Sequence, residues 1–175
     1  MSDPPFSNDS IYGPDFDSYI HGKTCVLWNV EDYPIPSGSD DPVSMGKKIK
    51  AKLVETKYLG EVSMKAYVDT LSDELQQKFD DAGISGLHSR ISKSTPLIVD
   101  ALGWALDNPA PANMIVLSNN MAEFGTIMHF ECMYRVGYGI VLPDTSCGWL
   151  PPDTDWLPPL EKSTWFLEDL FVMKR

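Results

Sequence analysis

Cysteine, histidine and positive charge are all scarce in this chain, and each scarcity removes a class of chemistry. Cys25, Cys132 and Cys147 are the only cysteines among 175 residues. Their number is odd and none stands in a C-x-x-C pair, which argues against a disulfide framework or a thiolate zinc site. Cys25 and Cys132 fall inside apolar segments, as buried thiols in a reducing compartment do. His21, His88 and His129 are equally scattered and show no metal-ligand spacing. Lys and Arg number 14 against 25 Asp and Glu, a net charge of −11. A generic nucleic-acid binder needs clustered Lys and Arg to meet phosphate, so DNA is not expected as a partner. A metal-dependent nuclease stays open, because its site is itself acidic. No apolar run approaches the length of a membrane span, and the opening residues hold no basic segment followed by an apolar core. The expectation is a soluble, intracellular protein with no membrane partner.

At 43% hydrophobic residues the chain suits one domain with a full core, plus tails. Residues 1–23 carry Asp3, Asp9, Asp15 and Asp17 among Pro, Ser and Gly. That composition reads as a mostly flexible acidic arm, with Phe6, Tyr12, Phe16 and Tyr19 available to dock locally. The domain proper spans 24–145, and a Trp/Pro-rich extension follows over 146–175.

Thr24 to Val30 is a short uncharged run of β-branched, aromatic and aliphatic residues, the pattern of a strand buried on both faces. Pro34, Pro36 and Gly38 then hold an extended loop. Asp41-Pro42 reads as an N-cap with a first-turn proline, and a helix follows to about Lys57. Val62–Val68 is a second strand. Ser72 caps a helix through Phe79, with Asp73 and Glu74 favoured by the dipole of its first turn, and Gly83 closes it. Ile84–Ile91 is a weaker third strand. Thr95-Pro96 opens a helix that Asn108-Pro109 ends. Asn113–Leu117 is a second continuous apolar strand, a helix runs from about Met121 to Val136, and Tyr138–Leu142 is the last strand. Strand and helix thus alternate five times, which predicts an α/β fold with a parallel sheet and helices on both faces. The most apolar strands, the first and fourth, belong at the centre, and the order 3-2-1-4-5 places them there. Val26 and Leu27 are then expected beside Ile115 and Val116.

In such sheets ligands sit beyond the carboxyl ends of the strands where the order reverses. That crevice gathers Asn29, Glu31 and Asp32 with Asn120 and Glu123, Asp69 lies on the same rim, and Ser94 approaches from the helix after strand three. The first long helix carries Lys47, Lys48 and Lys50, a candidate phosphate-binding face or a solvated one. The extension repeats W-L-P-P at Trp149 and Trp156, a strap over the domain's own surface or a partner site. Thr164 to Val172 reads as a short terminal helix with Trp165, Phe166, Leu170 and Phe171 to bury.

The local words resemble those of NYN domains, the branch of the PIN-like nuclease superfamily typified by limkain-type meiosis regulators and mRNA stability factors and their plant relatives. The family's first strand reads like W-D-I-E-N-x-P-x-P-S-G, and Trp28–Gly38 reads W-N-V-E-D-Y-P-I-P-S-G. Its second strand ends Y-G-D-T, against Y-V-D-T at Tyr67–Thr70. Its third helix reads like D-K-x-I-L-V-D-M-L-x-W-A-x-D-N-P-A-P-A-N, against S-T-P-L-I-V-D-A-L-G-W-A-L-D-N-P-A-P-A-N at Ser94–Asn113. A terminal W-x-W-x-D-L word is echoed by W-F-L-E-D-L at Trp165–Leu170. The resemblance covers about residues 24–145 and implies a Rossmann-like PIN/NYN fold in which carboxylates hold Mg²⁺ or Mn²⁺ for RNA cleavage. The expected location is the cytoplasm or nucleus, and the resemblance adds the peroxisome as a further compartment.

Carried over by position, the family's acid closing strand one is Asn29 here, and the acid opening the third helix is Ser94. The strand-four word S-G-D-x-D-F becomes S-N-N-M-A-E-F at Ser118–Phe124, so its acids fall on Asn120 and Glu123 with one residue added. Three neutral replacements remove most of the field that holds a cation and acidifies its water. The expectation is therefore a degenerate nuclease domain that acts in RNA-linked regulation by binding RNA weakly or binding protein. Two readings stand beside it: a working Mg²⁺- or Mn²⁺-dependent endoribonuclease with metal on Asp32, Asp69 and Glu123, and an interaction module working through the Trp/Pro tail. A homo-oligomer is compatible with each.

Overall fold

β1 (Thr24–Asn29) is the hub, and all six of its residues are buried, as a strand covered on both faces must be. The structure, a computed structural model, describes residues 16–35, 41–88, 95–118 and 124–141. β2 (Val62–Val68) and β4 (Asn113–Leu117) pair with the two edges of β1, while β3 (Ser85–His88) and β5 (Gly139–Val141) complete the sheet. All four pairings are parallel and the order is β3-β2-β1-β4-β5, as the apolar runs predict. The register sets Val26 between Met64 and Ile115, and Leu27 between Lys65 and Val116.

Successive side chains of β1 point to opposite faces, and each face has its own core. Val26 and Trp28 join Met45, Ile49 and Leu53 of α2 (Pro42–Glu55) and Phe79 of α3 (Asp73–Asp81). Cys25 and Leu27 join Leu97 and Ala101 of α4 (Thr95–Asp107) and Phe130 and Met133 of α5 (Phe124–Arg135). Trp28 meets the Phe79 ring edge-on, with centroids 6.4 Å apart. Its indole N–H donates to the Tyr33 carbonyl at 2.8 Å, so a buried polar tip is satisfied within the core.

The helix starts follow from their caps. The Asp41 carboxylate accepts from Ser44 N–H at 2.8 Å with Pro42 in the first turn. The Ser72 hydroxyl accepts from Leu75 N–H at 3.2 Å. Capping of Ser44 and its neighbours holds the Asp41 carboxyl below the usual aspartate range. α3 ends where Gly83 takes φ +67°, the left-handed conformation that closes a helix without a Cβ penalty. β3 covers Ser85–His88 of the alternation expected over Ile84–Ile91, and residues 89–94 lie outside the described chain.

Before β1, the short helix α1 (Phe16–Ile20) docks on the amino end of the sheet. Tyr19, one of the aromatics expected to dock locally, is buried, and its hydroxyl donates to the Gly137 carbonyl at 2.7 Å. The buried amide of Asn113, opening β4, donates to the Tyr19 carbonyl at 2.7 Å. Leu59 N–H donates to the Ile20 carbonyl. The approach is close enough that a Cβ on Gly60 would sit 2.1 Å from the Gly22 carbonyl oxygen. Residues 1–15 and 142–175 lie outside the described chain.

Candidate functional site

At the carboxyl rim, β1 ends on Asn29 and the chain turns at once: Tyr33 N–H donates back to the Asn29 carbonyl at 3.0 Å. The Asn29 side chain is 4% exposed, and its amide oxygen accepts Glu31 N–H at 3.1 Å. This is the local Asx bond for which Asn and Asp are suited at turns. The turn sends the next two acids in different directions. Glu31 reaches β2, where its carboxylate accepts Asp69 N–H at 3.3 Å. Asp32 reaches β4, where its carboxylate accepts the buried Ser118 hydroxyl at 2.8 Å. The rim continues to β3 through His88, whose Nε2 meets the Asp69 carbonyl. A carbonyl only accepts, so Nε2 carries the hydrogen in that bond.

Asn29, Asp32 and Asp69 are thus on one rim, as expected from the strand order, together with Glu31. Ser94, Asn120 and Glu123 lie outside the described residues. Ser118 and His88 are rim groups that sequence reasoning passes over. The pairing of Val68 with His88 is the feature that brings the imidazole to the end of β2. Among the described residues, no group of three or more His, Cys, Asp or Glu is arranged to hold a metal ion. The acids diverge because each is spent on fixing the loop to a different neighbouring strand.

One acid sits elsewhere. Asp100, on α4, accepts from Lys65 Nζ at 2.8 Å through one oxygen and from the Tyr67 hydroxyl at 2.7 Å through the other. The pair Lys65–Asp100 is 29% and 27% exposed, half sheltered between β2 and α4. Burial first, and then the bond to Asp100, push the Tyr67 hydroxyl far above its ordinary pKa. On the same face, burial pushes the Cys25 thiol up to about 11, which makes it an inert core group rather than a nucleophile, whereas Cys132 on α5, expected to be buried as well, is exposed.

Lys47, Lys48 and Lys50 are all exposed on α2, whose amino end faces the same rim because the helix follows β1. Lys52, one turn further, is buried instead and pairs with Glu55 at 3.1 Å. A shallow pocket of about 180 Å³ lined by Lys23, Asp107, Asn108, Pro109, Pro111 and Ala112 opens at the opposite, amino end of the sheet. It is smaller than small-molecule sites usually are. Among the described residues no helix is long and apolar enough to cross a membrane. Trp149, Trp156 and the terminal helix word lie outside the described residues. No protein-family model matches the chain, and comparison with curated proteins gives no match.

Proposed function

We propose that the chain is a catalytically degenerate NYN-type domain that takes part in RNA-linked regulation of gene expression by binding rather than by cleavage. The observation that carries this reading is the state of Asn29. Where the resemblance expects a metal-binding acid at the end of the central strand, there is a neutral, buried amide whose oxygen holds Glu31 N–H. A divalent ion needs several hard oxygens and net negative charge in one place. On the described rim one oxygen of Glu31 and one of Asp32 accept bonds from different strands, and no three His, Cys, Asp or Glu converge there. The described residues therefore do not fit such an ion.

The exposed lysines of α2 supply what binding needs instead. With −11 overall, any phosphate affinity comes from a local patch, and Lys47, Lys48 and Lys50 are exposed within four residues of one another on α2. The test measures binding of a labelled single-stranded RNA across a salt series. Replacing Lys47, Lys48 and Lys50 together by Glu is expected to abolish binding. Any residual binding should show a log–log salt slope shallower by about 0.7 for every phosphate no longer neutralised. Binding that survives the triple change would place the patch elsewhere. Absence of RNA binding in the parent would turn the reading toward a protein partner. Mn²⁺-dependent cleavage lost in Asp32→Asn would overturn degeneracy in favour of an endoribonuclease on Asp32, Asp69 and Glu123.

A further inference from the structure

Three large apolar side chains that face solvent are grouped on one helix among the described residues. Val99, Leu102 and Leu106 are 62%, 41% and 87% exposed. Their spacing of three and four puts them in a single stripe on the outer side of α4. Gly103 lies within the stripe with open space where a Cβ would stand, so a ligand can approach the helix backbone there. The inner side of the same helix is committed to the sheet through Leu97 and Ala101. Of the other large exposed apolar residues, Val54 lies on α2, and Leu59 and Val136 lie in the connections after α2 and α5.

We infer that this stripe is the seat of the chain's own segment 142–175, with the tryptophans of the repeated W-L-P-P as its anchors. Two arguments select this occupant. The first is size. Three partly exposed aliphatic side chains offer roughly 300 Å² of apolar surface, the scale of a single patch and well short of the roughly 800 Å² per partner that a stable interface of separate molecules needs. A tethered segment does not need that area, because a short linker holds it at an effective concentration on the order of millimolar.

The second argument is reach and composition. The described chain leaves β5 at Val141, and Trp149 follows eight residues on. At about 3.3 Å per extended residue that is a span of roughly 26 Å. β5 is two strands from β1, over which α4 packs. With strands about 4.8 Å apart and layers about 10 Å thick, the outer side of α4 lies within that span. Trp149, Leu150, Trp156 and Leu157 then bring large apolar groups, and each proline pair restricts the backbone of the unbound chain, which lowers the entropy lost on docking.

The test attaches a bimane fluorophore to Leu106→Cys in a full chain that also carries Cys132→Ser, at an exposed thiol, and Cys147→Ser. Tryptophan in contact quenches bimane. Changing Trp149, Trp156 and Trp165 to Phe is expected to raise the emission at least twofold, independently of protein concentration, while the same label at Val54→Cys on α2 stays constant. The labelled positions are exposed, so the fold should tolerate the label. Unchanged emission at position 106 would overturn the inference. Quenching that grows with protein concentration would also overturn it, and would seat a second copy on α4 instead.

Discussion

Replacing Asn29 by Asp changes one NH₂ for an oxygen and leaves the volume of a buried side chain almost untouched. What it adds is charge. The side chain is 4% exposed and stands at the root of a loop that carries Glu31 and Asp32, with Asp69 beyond. Burial and neighbouring acids both disfavour ionisation, while the single bond from Glu31 N–H favours it. If the net rise in pKa is about two pH units, the cost at neutral pH is about 2.7 kcal/mol. For a chain of this size that lowers the melting temperature by roughly 5–10 °C. The sign fixes the pH window. Above the pKa of the folded state the cost is fully present. It shrinks as pH falls toward the ordinary aspartate value near ~3.9, below which both states hold the proton. Melting curves at pH 7.5, 6, 5 and 4 should therefore converge on those of the parent. Adding Ser94→Asp and Asn120→Asp should enlarge the loss at neutral pH, and Mn²⁺ should then restore stability by about 2.7 kcal/mol at a hundredfold excess over its dissociation constant. A loss that is the same at every pH would refute the reasoning, since it would mean packing rather than charge. Equal stabilisation of the parent by Mn²⁺ would show that its crevice is already a metal site.

Other perturbations follow from the packing. Asp100→Ala removes a half-sheltered ion pair and a hydroxyl bond together, so it should cost roughly 2 kcal/mol in urea unfolding. Tyr67→Phe should cost about 1 kcal/mol, and the double change less than the sum, because both act on one network. Cys25 keeps its proton to about 11 in the folded chain against an ordinary 9.0. The unfolded thiol ionises first, so stability present at pH 8 should fall by roughly 2–3 kcal/mol as pH rises from 9 to 11. Cys25→Ala should lose that part of the slope while Tyr58, pushed up to about 12 by burial, still contributes above pH 10. Gly60→Ala forces a Cβ against the Gly22 carbonyl, so it should destabilise by roughly 1–3 kcal/mol and free α1 to faster amide exchange.

The strands that form the centre of the sheet were legible because burial on both faces leaves a continuous apolar run. Thr24–Asn29 and Asn113–Leu117 have such runs and Ser85–His88 does not. Helix starts were legible at Asp41 and Ser72 because a cap is a local bond with a short sequence signature. The wiring of the rim was not, since Asp32 meets Ser118 across 86 residues and no periodicity encodes that. The tie between β2 and α4 had a fainter signal. Lys65 interrupts the apolar face of a strand and Asp100 the apolar face of a helix, and two such interruptions of opposite sign are a reason to pair them.

The buried amide of Asn113 joins β4 to α1 over a separation of 94 residues, and β1 meets β4 over a similar stretch. Such long-range closure sets the order of folding. When the ribosome has released β1, β2 and β3, the inner edge of β1 still lacks its partner strand, and α1 lacks the side chain that holds it. A bare apolar edge of this kind recruits other chains as readily as its own. Folding should therefore be slow, limited by loop closure, with its most aggregation-prone species just before β4 arrives. For a newly made chain the hazardous interval is the time needed to synthesise the stretch from β3 to the end of β4, and a chaperone would be of most use there.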